Sequence, residues 1–367
     1  MRIALLSAVL LAGCSVQTAP DNAAAPSPTP AATPAPSPAS SAPVAADTAV
    51  TPGELKTFGD WAVGCDNTAL CSMASLGPDG GLFPDVTMAI LRQPGPEGAF
   101  DLSFDVPGEG PPVRPVAVEI DGRRLPLGEL NGPAATAVVR AMANGKTLVI
   151  LEGSDRRRAT LSLAGASAAL RWIDARQGRA GTVTAAVATG PQPATAVPER
   201  RPAPVVRALV ATGVATVPTP AQLAGMRKQA GCEERMADGE VWQPESHALG
   251  GGATLVLLPC SAGAYNLSSA LFVLKHGRLA PALTDTPTGF GPTPAAGTDR
   301  LESVVNGAWK DGELTSYAKG RGLGDCGVTQ TMVWDGTRLR LTEQAEMGEC
   351  RGNPDYITTW RTQVVRG

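Results

Sequence analysis

Six of the chain's seven cysteines, at 65, 71, 232, 260, 326 and 350, fall in sequence order as three near pairs, while Cys14 stands apart near the start. An odd count leaves one thiol for a separate role. Among the many pairings six cysteines allow, sequence order favours Cys65–Cys71, Cys232–Cys260 and Cys326–Cys350. Each bridge removes loop entropy from the unfolded chain, typically about 2–4 kcal/mol. The rival reading, a thiolate metal site, lacks a CxxC pair, and His247 and His276 are the only histidines. No metal and no cofactor is expected.

The solitary cysteine has a context of its own. Arg2 precedes an apolar run over 3–11, and Leu11-Ala12-Gly13-Cys14 resembles the bacterial lipobox, in which the thiol is acylated and becomes the first residue after cleavage. The expectation is a signal peptide over 1–13 and lipidation at Cys14, since two or three acyl chains anchor stably. Ser15 stands where lipoproteins retained at the inner membrane usually carry Asp, which points to the outer membrane of a Gram-negative cell. Residues 15–52 are almost entirely Ala, Pro, Ser and Thr, with Asp21 and Asp47 as their only charges and no aromatic residue. Such a stretch cannot bury a core, so 14–53 is read as a lipidated, disordered tether. The expected address is the cell envelope, anchored to the outer membrane and facing the periplasm.

Beyond the tether the fold class reads as α+β: two small β-rich domains with accessory helices, over 54–189 and 219–367, joined by a proline-rich linker over 190–218. Gly 42 and Pro 33 with only 4% aromatics argue for many turns and against a helical bundle. In the first domain, 58–66 reads as a strand entering a cysteine-closed loop. Residues 113–120 and 125–127 read as a hairpin turned by Asp121-Gly122, 133–143 and 166–177 as helices, and 147–151, 159–163 and 182–187 as strands. The second domain opens with Thr219 as N-cap, Pro220 and Gln222 for a capping box, and Gly231 as the stop. Strands follow at 254–258 and 267–274, at 332–334 and 339–341 around Asp335-Gly336, and over 357–365.

Chemistry is sparse. The 31 Lys+Arg against 34 Asp+Glu, a formal charge of −3, argue against nucleic acid. His247 and His276 sit without a nucleophile elbow, and Ser246 beside His247 is adjacency only. Gly322-Leu323-Gly324-Asp325-Cys326-Gly327 matches GxGxxG but runs into Val328-Thr329 with no helix, so it reads as a compact turn and not a nucleotide cofactor site. Asp105, Glu109 and Glu119 lack a glycosidase context. Arg156-Arg157-Arg158 reads as a solvated turn or edge. Arg321, Asp325, Trp334, Arg351 and Trp360 form the densest group of binding-type residues, read either as a ligand groove or as an ion pair with core tryptophans. No catalytic residue is assigned.

FGDWAVGCDN at 58–67, SLAGASAALRWIDARQGR at 162–179, PCSAGAYN at 259–266, KGRGLGDCG at 319–327, VWDG at 333–336 and MGECRG at 347–352 resemble the bacterial envelope family known as domain of unknown function 1176. The first block is also distantly similar to invasion-associated locus B proteins, which implies a related periplasmic module. The resemblance implies secretion and a cysteine-stabilised two-part architecture, and brings no reaction or ligand. The functional expectation is a non-enzymatic lipoprotein that meets the outer membrane through its lipid and binds an envelope protein or glycan partner. The alternative is an envelope hydrolase or glycan-processing enzyme with a cleft near His247 or between the domains.

Overall fold

The computed structural model describes residues 50–108, 110–232, 239, 241–285 and 301–367. Cys14, most of the expected tether and Glu109 lie outside them. Residues 49–367 cluster into one compact unit. Among the described residues it is mostly β-sheet with three α-helices, and it carries the three expected disulfides, Cys65–Cys71, Cys232–Cys260 and Cys326–Cys350.

The first sheet is an antiparallel meander of β1 (Leu55–Phe58), β2 (Trp61–Cys65), β3 (Cys71–Ser75), β4 (Thr87–Arg92) and β5 (Phe100–Asp105). Cys65 and Cys71 face each other in the β2–β3 register, so the disulfide closes the hairpin it was expected to close. The second sheet runs in the order β7 (Arg123–Pro126), β6 (Pro115–Ile120), β8 (Thr147–Glu152), β9 (Arg156–Ser162). Asp121 and Gly122 both take positive φ, as the two-residue turn between β6 and β7 demands. The triple arginine lies on the edge strand β9, where Arg156 and Arg157 pair with Glu152 and Glu119.

Helices α1 (Gly132–Met142) and α2 (Ala166–Arg176) bury one face each: Ala135, Val138, Val139 and Met142 on α1, and Ala169, Leu170 and Ile173 on α2. That i, i+3, i+4 spacing places both in one core with Trp61, Met73, Phe100 and Ile150. The Trp61 indole N–H donates to Ser162 O at 3.1 Å and ties the two sheets together. Gly165 sits so close to the Phe58 carbonyl that a Cβ would collide with it, which explains a glycine at the entry to α2.

One expected strand is absent. Residues 182–187 form turns because their amides are claimed elsewhere: the buried Asp174 carboxylate accepts the N–H groups of Ala186, Val187 and Ala188 at 2.8, 2.9 and 3.1 Å. A ladder there would leave a buried carboxylate unmatched.

The proline-rich stretch over 190–218 contributes β10 (Val205–Ala208), with Val206 and Ala208 buried. Helix α3 (Pro220–Ala230) starts with the expected capping box, Thr219 with Gln222, ends at Gly231 in the left-handed region, and is tied by Cys232–Cys260 to the sheet below. That sheet is β11 (Glu245–Gly250), β12 (Ala253–Ala262), β13 (Leu267–Lys275) and β14 (Arg278–Pro281), with β15 (Ser303–Val305) also on β13. The last large sheet is β16 (Ala308–Lys310), β17 (Glu313–Lys319), β18 (Gly327–Trp334), β19 (Leu339–Met347) and β20 (Ile357–Arg361). The single strand expected over 357–365 divides at Thr362, whose N–H turns to Thr342 O at 2.9 Å. Beyond it, β21 (Gln363–Arg366) leaves the sheet and pairs in parallel with β10.

Candidate functional site

The polar residues singled out between 321 and 351 converge where the first sheet meets β20. Strands β17 and β18 bracket the loop holding Arg321, Asp325 and Cys326, and the disulfide to Cys350 brings Arg351 beside it. Gly327 has φ 137° and its missing Cβ makes room for the Ala318 carbonyl; the GxGxxG run is a compact turn opening directly into β18. Arg321 donates from Nε and Nη2 to the two oxygens of Asp325 at 2.7 and 2.5 Å, a bidentate pair, and from Nη2 to Gly81 O at 2.9 Å. Asp325 is fully buried and also accepts the Gly352 N–H at 2.6 Å. Burial by itself would raise its pKa; the Arg321 and Gly352 hydrogen bonds outweigh that and hold the carboxyl below its ordinary range.

Arg351 reaches further. Its Nε donates to Gly77 O at 2.6 Å, Nη1 to Gly59 O at 2.9 Å and Nη2 to Asp60 Oδ1 at 2.6 Å, with Asp79 at 3.0 Å. Asn353 donates to Ser75 O at 2.6 Å, Thr87 to Asp355 at 2.9 Å, Asn67 exchanges two hydrogen bonds with the Arg361 backbone, and Arg361 pairs with Asp66. Beneath them Ala62, Ala74 and Leu76 from the first sheet pack against Cys326, Met347 and Ile357. The guanidinium donors that could have faced a ligand are directed at Asp325 and at carbonyls and carboxylates of the loops that join the first-sheet strands. This is a junction, built to hold two sheets in register.

Trp334 and Trp360 do not join that group. They are 4% and 5% exposed, in a separate core with Leu255, Leu257, Leu314 and Leu339, and the Trp360 N–H donates to Leu341 O at 3.2 Å.

His247 lines an open cleft of about 580 Å³ with Ser246, Trp309, Asp311, Gly312 and Arg366. Its position on β11 faces Leu255 of β12, and its ring stacks on Trp309 with centroids 6.0 Å apart and planes at 25°. The Nε2 lies 3.1 Å from Glu245 Oε2. His276 is exposed in the β13–β14 turn at φ 50° and does not line this cleft, nor do Arg321 and Asp325. Sequence reasoning passed over Trp309, Asp311 and Arg366 because each belongs to a different element; only the Asp311-Gly312 turn, at φ 53° and 82°, marked the spot.

Against known proteins, the family described as "Protein of unknown function (DUF1176)" matches residues 55–363, spanning both halves of the folded unit. The uncharacterized protein YpfG of Escherichia coli (strain K12) is 29% identical over 350 residues, covering 84% of this chain and 93% of that one. The crystal structure of invasion associated protein b from Bartonella henselae is similar to 34% of this chain and 99% of that one, at 19% identity and a TM-score of 0.24.

Proposed function

This chain belongs to the DUF1176 family of proteins of unknown function, and on that premise we propose that it is a non-enzymatic, lipid-anchored outer-membrane protein that binds glycan in the periplasm. The observation carrying the glycan reading is the His247–Trp309 stack inside the 580 Å³ cleft. Sugars are recognised by an aromatic face for their C–H surfaces and by nearby groups that exchange hydrogen bonds with hydroxyls. Trp309 supplies the first, and Ser246, Asp311 and Arg366 line the same cleft. The anchoring reading rests on Leu11-Ala12-Gly13-Cys14 and the Pro/Ala-rich tract that follows it.

Titration of the mature chain with soluble peptidoglycan fragments tests the binding arm. Saturable binding, weakened about tenfold or more in Trp309→Ala as befits loss of an aromatic anchor, is the expected result. Binding unchanged by that substitution would reject the site. Labelled palmitate tests the anchor: wild type incorporates it and fractionates with the outer membrane, and Cys14→Ser does neither. A hydrolytic reading draws on the Glu245–His247 pair at 3.1 Å, an acid–base couple beside the same cleft. New reducing ends on glycan incubated with wild type, absent with His247→Ala, would favour it over simple binding.

A further inference from the structure

A second cavity, of about 690 Å³, opens in the first half of the chain and has a different electrostatic character. Three guanidinium groups converge on one turn beside it. Arg140 donates to Val183 O at 3.2 Å, Arg92 to Thr184 O at 2.9 Å, and Arg179 to Thr184 Oγ1 at 3.1 Å. Arg92 and Arg140 line the cavity itself. Arg179, fully buried behind them, spends its other donors on Gln177 Oε1 and the carbonyls of Gln93 and Gly95. Among the described residues none of the three forms an ion pair. The nearest buried carboxylate, Asp174, has both oxygens committed to the amides of 186–188.

Arg92 is the informative member. It is 4% exposed, its Nε has no hydrogen-bond partner, and its guanidinium lies 4.0 Å over the Phe100 ring. Burial first, then the like charge of Arg179, lowers its pKa to about 9, with Asp174 offsetting part of that and Arg140 adding to it, so it stays charged at neutral pH in a setting that disfavours charge. A buried cation with no paired anion is costly unless something supplies the anion.

The cavity presents one more anion-seeking element. Gly132, Pro133 and Thr136 at the start of α1 line it, and that helix begins with no side-chain cap and no acidic residue in its first turn. The N–H groups of a helix start and the positive end of its dipole favour negative charge. The cavity's one lining carboxylate, Glu97, is exposed at the rim.

We propose that this cavity binds a small oxyanion, a phosphate or carboxylate group, held between Arg140, Arg92 and the first turn of α1. The site is distinct from the Trp309 cleft and does not depend on the glycan reading. The test is calorimetric titration of the full chain, disulfides intact, with inorganic phosphate and separately with acetate, each against sodium chloride at matched ionic strength. The expected result is saturable binding of at least one oxyanion beyond the chloride control. The tighter one identifies the headgroup. Arg140 is exposed, so Arg140→Gln tests charge without threatening the core. It weakens binding about tenfold, the scale of one charge-assisted hydrogen bond. Glu97→Gln tightens binding, and Trp309→Ala leaves it unchanged. No binding of either oxyanion beyond chloride, or binding undiminished in Arg140→Gln, overturns the proposal.

Discussion

Arg351 and Arg179 both aim their donors at backbone carbonyls, yet only Arg351 is also met by carboxylates, Asp60 and Asp79. The contrast extends to their neighbours. At the junction each cation has its anion: Arg321 with Asp325, Arg351 with Asp60, Arg361 with Asp66. In the first half, Arg92, Arg140 and Arg179 share two adjacent residues of one turn and no ion pair. The difference separates charge used to close an interface from charge that the Asp174 carboxylate only partly offsets beside a cavity.

The sharpest way to break the comparison is to remove one charge from each group. Asp325→Ala leaves the buried Gly352 N–H without its acceptor and the partly exposed Arg321 without its carboxylate, and is expected to cost about 2–3 kcal/mol in chemical denaturation. Arg92→Met removes a cation that has no ion pair and relieves its repulsion with Arg179, so its cost stays within about 1–2 kcal/mol. Equal losses would erase the distinction between the groups.

The disulfides sharpen it next. Cys326–Cys350 closes a sequence separation of 24 and Cys65–Cys71 one of 6. Loop entropy assigns about 3 kcal/mol to the first and about 2 kcal/mol to the second. Paired serine substitutions compared by thermal melting check the order, and the first pair should also loosen Arg351 from Asp60, seen as faster exchange of the Gly77 amide.

The smallest effect is in pH. A carboxyl whose folded pKa lies below its unfolded value contributes stability that is complete above the unfolded pKa and is lost as pH falls through the folded one. The stability gap between wild type and Asp325→Asn should therefore be flat from about pH 5 to 8 and shrink only below about pH 4. Parallel stability curves through the acid range would contradict the Arg321 and Gly352 hydrogen bonds as the cause.

Local features were legible in the sequence. Thr219-Pro220 with Gln222, the Asp121-Gly122 turn, and the order of the cysteines each report on chemistry within a few residues, and each appears in the structure where it was expected. The motifs resembling the DUF1176 family were equally readable, and the family match over 55–363 bears them out. What escaped was non-local. Among the missed strands only β4 belongs here, because both of its faces are covered in places, as at Thr87 and Met88, both fully buried; β5 and β17 alternate buried with more exposed positions and were readable. Residues 182–187 have strand-like composition, but a carboxylate on α2 takes their amides. Arg321 and Asp325 could be read as an ion pair or as a ligand site; that Arg321 also grips Gly81 depends on a contact 240 residues away. Arg92, Arg140 and Arg179 come from a strand, a helix and a turn, and nothing in their spacing announces that they meet.

The junction also sets an order of assembly. Its bonds join residues separated by 274 positions at Arg351 with Gly77, 278 at Asn353 with Ser75 and 294 at Asn67 with Arg361. The first two sheets, by contrast, close over hairpins and short crossings. A chain that emerges amino end first can therefore finish its first half while Asp60, Asp66 and the Gly77 carbonyl still face solvent, without their cations. For that interval the molecule presents a row of unmatched acceptors along one sheet, and the arrival of the Arg351 and Arg361 strands withdraws it. Arrival of the second half is thereby registered as the disappearance of a surface.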